Sequence, residues 1–106
     1  MSDTTTQPTA AELLDALAAV RDAIAIPHAA TMGDQEIRDA ILVERAGHAT
    51  AMLDSIFERI SHGRDPDLTW SAGYLREQLA KYPTEGYKTW QERVAELAAA
   101  RATASR

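Results

Sequence analysis

The stretch from Asp34 to His62 constrains this chain most, because it carries the longest unbroken helical pattern, with no proline and only Gly47 inside it. At about 1.5 Å per residue such a helix is roughly 42 Å long. That is long for a chain of 106 residues, so other elements must pack along it. On a helical wheel Ile37, Ile41, Leu42, Ala46, Ala49, Met52, Leu53, Ile56, Phe57 and Ile60 share an arc of roughly 200°, opposite Glu36, Glu44, Gly47, Asp54 and Glu58. A surface helix needs an apolar stripe only a little over about 100° wide. The pattern therefore predicts a central helix over about 34–62 that touches two neighbours, capped at its start by Thr31 or Asp34. His62 complements the dipole of its last turn, and Gly63 closes it in the left-handed conformation.

Three further helices are expected around it. Thr9-Ala10-Ala11-Glu12 is a capping box that opens a helix over 9–25, with Leu13, Leu17, Val20 and Ile24 as the stripe laid on the central helix. Pro27 ends it, because the residue before a proline is pushed out of the helical region. After the turn Arg64-Asp65-Pro66-Asp67, a third helix over 67–82 presents Leu68, Ala72, Leu75, Leu79 and Tyr82 to the core. Thr89-Trp90-Gln91-Glu92 is a second capping box and starts a last helix over 89–102, with Trp90, Val94 and Leu97 as its stripe and Tyr87 packing just ahead of it. Residues 1–8 are polar and read as a flexible tail, residues 103–106 as a frayed end, and residues 9–102 as a single helical domain. The expected fold is all-α, a compact four-helix bundle built around the one long central helix.

Composition bounds the chemistry. The chain has no cysteine, so disulfides and thiolate metal sites are excluded. No stretch approaches the roughly 20 apolar residues of a membrane span, and the N-terminus lacks the basic and apolar regions of a signal peptide; a cytoplasmic protein is expected. The net charge of −5 is unevenly placed, with four basic and ten acidic side chains in residues 1–63 against seven and six in residues 64–106. An acidic first half argues against a basic nucleic-acid footprint over the whole molecule and leaves only the second half for one.

Two pairs of residues depart from the core pattern. Trp70 and Tyr74 lie one turn apart and roughly 160–200° around from Leu68 on the third helix. Aromatic side chains with a polar tip are enriched where partners bind, so they form either a contact patch or a surface that the last helix or the N-terminal tail covers. Arg38 and Arg45 fall in the middle of the apolar arc of the central helix. An unpaired buried guanidinium is costly, so each either snorkels between packed helices or offers its planar fork to an anion or acidic partner. Beside Arg45, Glu44 and His48 are neighbours at a spacing of four. The carboxylate–histidine motif of helical metal sites is Glu-x-x-His and needs a second helix to repeat it, so Glu44 and His48, like the loop residue His28, read as structural. Neither a metal nor any other cofactor is expected.

These features point to a small non-enzymatic protein-interaction or regulatory protein acting through a helical surface, by a protein partner or by self-association, with Trp70, Tyr74, Arg38, Arg45 and His48 as candidate contacts. The alternative is a nucleic-acid-associated accessory protein using the more basic C-terminal half. A metal-assisted enzyme comes third.

Overall fold

The computed structural model describes residues 7–104. Residues 1–6 of the expected tail and residues 105–106 of the expected frayed end lie outside the described residues. Four helices follow in order, α1 (Ala10–Ile24), α2 (Met32–Ser61), α3 (Leu68–Leu79) and α4 (Trp90–Ala104), and the described residues contain no strand longer than a single bridge. The chain is all-α around one long central helix.

Local chemistry sets most of the boundaries. Thr9 and Glu12 form the complete reciprocal capping box, hydroxyl to Glu12 N–H at 3.1 Å and carboxylate to Thr9 N–H at 2.9 Å. Thr31, rather than Asp34, caps α2: its Oγ1 accepts the Asp34 N–H at 3.1 Å and donates to the Asp34 carboxylate at 2.9 Å. The helix therefore begins at Met32, two residues earlier than the pattern suggests. At the other end Gly63 N–H donates to Ile60 and Arg64 N–H to Arg59, which is the Schellman closure. Gly63 adopts φ 69° for it, a conformation that a side chain disfavours. His62 Nδ1 lies 2.8 Å from the Glu58 carbonyl in that last turn. Asp67 caps α3 through the Trp70 N–H while itself at a positive φ of 48°.

α3 packs against both α1 and α2, which also pack on each other. The core holds Leu68, Ala72, Leu75 and Leu79 from α3 with Ala49, Met52 and Ile56 from α2, so the expected α3 stripe is the buried one apart from Tyr82, which is half-buried. On α1 the buried face differs from the expected one. Ala16, Ala19 and Ala23 point into the core, Val20 packs at its margin, and Leu13, Leu17 and Ile24 are exposed. The reason is distance. Alanines let two helix backbones approach closely, and the approach lets Arg76 bridge from α3 to the Asp15 carboxylate at 2.8 Å and to the Asp15 carbonyl at 3.2 Å. Leu53, Phe57 and Ile60 of α2, inside the predicted arc, are likewise exposed.

The compact arrangement holds for three helices and not for the fourth. No residue of α4 is buried and α4 packs on none of the other helices, so Trp90, Val94 and Leu97 are open to solvent. The molecule measures 76 × 25 × 17 Å with a radius of gyration of 19.5 Å, where a compact domain of this length has about 13 Å. The root of α4 explains its direction. Ala29 and Thr89 form an antiparallel bridge, with Ala30 N–H donating to the Lys88 carbonyl at 2.9 Å and Trp90 N–H to the His28 carbonyl at 2.7 Å. The buried Tyr87 donates its hydroxyl to the Pro27 carbonyl at 2.7 Å, and Arg38 Nε donates to the same oxygen at 3.1 Å. This strap fastens the α3–α4 connection to the α1–α2 loop, and α4 leaves from it as an arm.

Burial, opposed by the nearby Arg38 and Arg45 charges, raises the Tyr87 hydroxyl above its ordinary 10.0. A proton held more tightly in the folded state gives stability that is complete below the ordinary value and is lost as pH rises through the folded one. Absorbance at 295 nm is therefore expected to show a phenolate that forms late, coincident with loosening of the strap, and Tyr87→Phe should abolish that late phase. A Tyr87→Phe profile identical to wild type would refute the assignment.

Candidate interaction surface

Trp70 and Tyr74 stack on each other with ring centroids 5.5 Å apart and planes 12° from parallel. They sit on consecutive turns of α3 because Asp67 starts the helix three residues before Trp70. The same capping fixes Leu68, Ala72, Leu75 and Leu79 inward, which leaves the aromatic pair on the outer flank. Trp70 is 54% exposed and Tyr74 is 36% exposed, and α4, which could have covered them, points elsewhere. Between the pair and α2 runs an open groove of about 290 Å³ lined by Ala51, Met52, Ser55, Trp70, Ser71 and Tyr74. Arg59 lies over the Trp70 ring with its guanidinium carbon 5.5 Å from the centroid, a cation–π geometry. The surface thus has a flat aromatic shelf, a shallow apolar groove beside it and a positive charge at its edge. Such a shelf suits an apolar or aromatic side chain of a partner with an acidic group next to it.

Arg59 was not among the residues that the sequence singles out. Its signal was present but ordinary: it lies four residues after Ser55 and seven after Met52, on the helix face that lines the groove.

The two arginines of the apolar arc have other work. Arg45 is 9% exposed and gives three hydrogen bonds to backbone carbonyls, Nε to Ala23 at 3.1 Å, Nη2 to Asp22 at 2.8 Å and Nη1 to Tyr82 at 2.8 Å. Asp22 and Ala23 belong to the last turn of α1, whose carbonyls lack intrahelical donors, and Tyr82 closes the turn after α3. One cation thus satisfies two orphan carbonyls at the end of α1, where it complements the helix dipole, and a third carbonyl in the turn after α3. Arg38 holds the Pro27 carbonyl and approaches Asp39 Oδ1 at 3.5 Å. His48 rests its ring against Tyr82, centroids 5.5 Å apart. Arg38, Arg45 and His48 therefore gather around the strap end of the bundle, away from the Trp70–Tyr74 shelf, and each engages the fold itself.

Among the described residues no group of three or more histidine and carboxylate side chains could hold a metal ion, and no helix is long and apolar enough to cross a membrane. The C-terminal half presents no basic stripe on α4, where Glu96 accepts from Lys88 at 2.7 Å and lies 3.7 Å from Arg93. The Lys88 bond, with the Arg93 charge adding to it, holds the Glu96 carboxyl below its ordinary range. Compared with protein families, curated proteins and solved structures, the chain finds no match.

Proposed function

We propose that this chain is a small non-enzymatic, cytoplasmic interaction protein that binds a protein partner through its helical surface, with the Trp70–Tyr74 shelf as the contact that carries affinity. The observation behind this reading is the stacked aromatic pair itself. Two large side chains are held rigid by helix and stacking, lie off the core and border an open groove. Tryptophan, tyrosine and arginine are the residue types that most often dominate binding energy, and here all three meet in Trp70, Tyr74 and Arg59. A rigid shelf also loses little side-chain entropy on binding.

The test separates binding from folding. Trp70→Ala and Tyr74→Ala are each expected to weaken partner capture by upward of about 1 kcal/mol while leaving the melting temperature nearly unchanged. Leu79→Ala, on the buried side of the same helix, is expected to do the reverse. Quantitative capture from cell extract with the three variants in parallel, alongside thermal melts, reads both quantities. If Trp70→Ala retains every captured protein at wild-type yield, the shelf is not the working face.

A further inference from the structure

The α1–α2 pair has two sides, and α3 covers only one of them. The buried residues Ala16, Ala19 and Ala23 of α1 and Ala49, Met52 and Ile56 of α2 turn toward α3. About 60–100° further round each helix come Leu13, Leu17 and Ile24 on α1 and Leu53, Phe57 and Ile60 on α2. Leu13 and Ile60 line the same open hollow of about 470 Å³ at one end of the pair. Toward the other end Arg45 ties α2 to the last turn of α1. The two exposed stripes therefore run side by side, antiparallel, on the face opposite α3. Leu17 is 63% and Phe57 66% exposed. Contiguous apolar patches of more than a few hundred Å² are uncommon on monomers and mark contact sites.

A second apolar element packs on no other helix among the described residues. α4 is a 15-residue helix whose Trp90, Val94 and Leu97 form one stripe. Helices of that length are only marginal in water without tertiary packing, so α4 needs a surface to lie on. The strap keeps it from folding back: the bridge at Thr89 and the Trp90 N–H bond to His28 fix its first turn, and it extends the molecule to 76 Å. Among the described residues, then, the two-helix face carries no helix and α4, held away from it by the strap, lies on none. Together their half-exposed side chains offer on the order of 800 Å² per chain, the size of a standard stable interface. With Arg38 and Arg45 turned inward, the outside of α1 and α2 is acidic, whereas α4 balances Glu92 and Glu96 with Arg93 and Arg101, so no like-charge repulsion opposes their contact.

We infer that the protein is a two-fold symmetric dimer by arm exchange, in which α4 of each copy lies along the α1–α2 face of the other and completes a four-helix bundle there. A symmetric pair exchanging identical elements closes on itself, with no free face left to propagate a fibre. The inference rests on reading the chain as an interaction protein, but it uses a surface separate from the Trp70–Tyr74 shelf.

Sedimentation equilibrium of the full chain, with circular dichroism to confirm that each variant keeps its helical content, is the test. Wild type is expected to be a dimer at micromolar concentration. Leu17→Lys on the face and Leu97→Glu on the arm should each weaken dimerisation at least 100-fold. Mixing the two variants should restore a heterodimer, because one arm–face pair is then wild type and the other joins glutamate to lysine. Trp70→Ala should leave the dimer intact. A monomeric wild type with a solution radius of gyration near 13 Å would mean that α4 folds back on its own chain, and would overturn the inference. So would a dimer indifferent to Leu97→Glu, in which the faces pair without the arms, or one that Trp70→Ala dissociates. The two readings fail separately: a monomer that still captures a partner through Trp70 sinks arm exchange alone, and an exchanging dimer whose Trp70→Ala variant captures normally sinks the shelf alone.

Discussion

Replacing Arg45 with alanine will lower the unfolding free energy by about 3–5 kcal/mol, because three backbone acceptors lose a charged donor at once and two of them sit at a helix end. For a domain of this size each kcal/mol corresponds to about 4–8 °C in melting temperature, so the midpoint should fall by upward of about 12 °C. Arg45→Lys is expected to recover little of the loss. An ammonium is a point donor on a flexible stem and cannot reach three carbonyls arranged around a planar fork. Arg45→Met keeps volume and removes charge, and should behave like the alanine variant if the hydrogen bonds matter more than packing. Chemical denaturation of the three variants decides this. A loss under about 1 kcal/mol for Arg45→Ala would show that water replaces the guanidinium at those carbonyls without penalty.

The second large effect is expected at Leu75, the one large side chain that is fully buried among the described residues. Leu75→Ala removes methyl groups from the point where all three packed helices meet and should cost about 2–5 kcal/mol, the higher end if the neighbouring alanines cannot close the cavity. Ala16, Ala19, Ala23, Ala49 and Ala72 around it have no side-chain length with which to do so. Leu14→Ala on the exposed side of α1 is the matched control and should stay within about 0.5 kcal/mol. Equal losses at the two positions would mean that the alanine-lined core is not where the stability resides.

These expectations differ in part from what the helical wheel implies, and the difference is instructive. Helix number, order and most boundaries were legible because they depend on local chemistry: Thr9 with Glu12, Gly63 after the last turn of α2, and Pro27 as a stop; α3 instead ends at Leu79, three residues short of the expected 82. Which face of α1 is buried was not legible. A wheel weighted by side-chain size points to Leu13, Leu17 and Ile24, whereas close helix approach selects the small residues beside them. The roughly 200° arc of α2 did signal two neighbours, and α2 packs on both α1 and α3, although Leu53, Phe57 and Ile60 within the arc stay exposed. The aromatic shelf could be read from Trp70 and Tyr74 lying off the α3 stripe, but Arg59 joins it only through tertiary placement. Arg45 was legible as an anomaly and not as a clasp, since its partners are backbone carbonyls 22, 23 and 37 residues away, and carbonyls carry no sequence signature.

The strap at Thr89 has a mechanical meaning. An arm of about 22 Å joined by a loose tether would swing freely, and a pull on its tip would spend itself in the tether. Here the arm is fixed at its base to the α1–α2 loop through Ala30, His28 and Pro27. Its base therefore lies beside the Arg45 clasp on α1 and the closing turn of α3. A force applied at Leu97, seven residues or about 10 Å beyond Trp90, would reach that junction as a torque set by that distance rather than being lost in a loose tether.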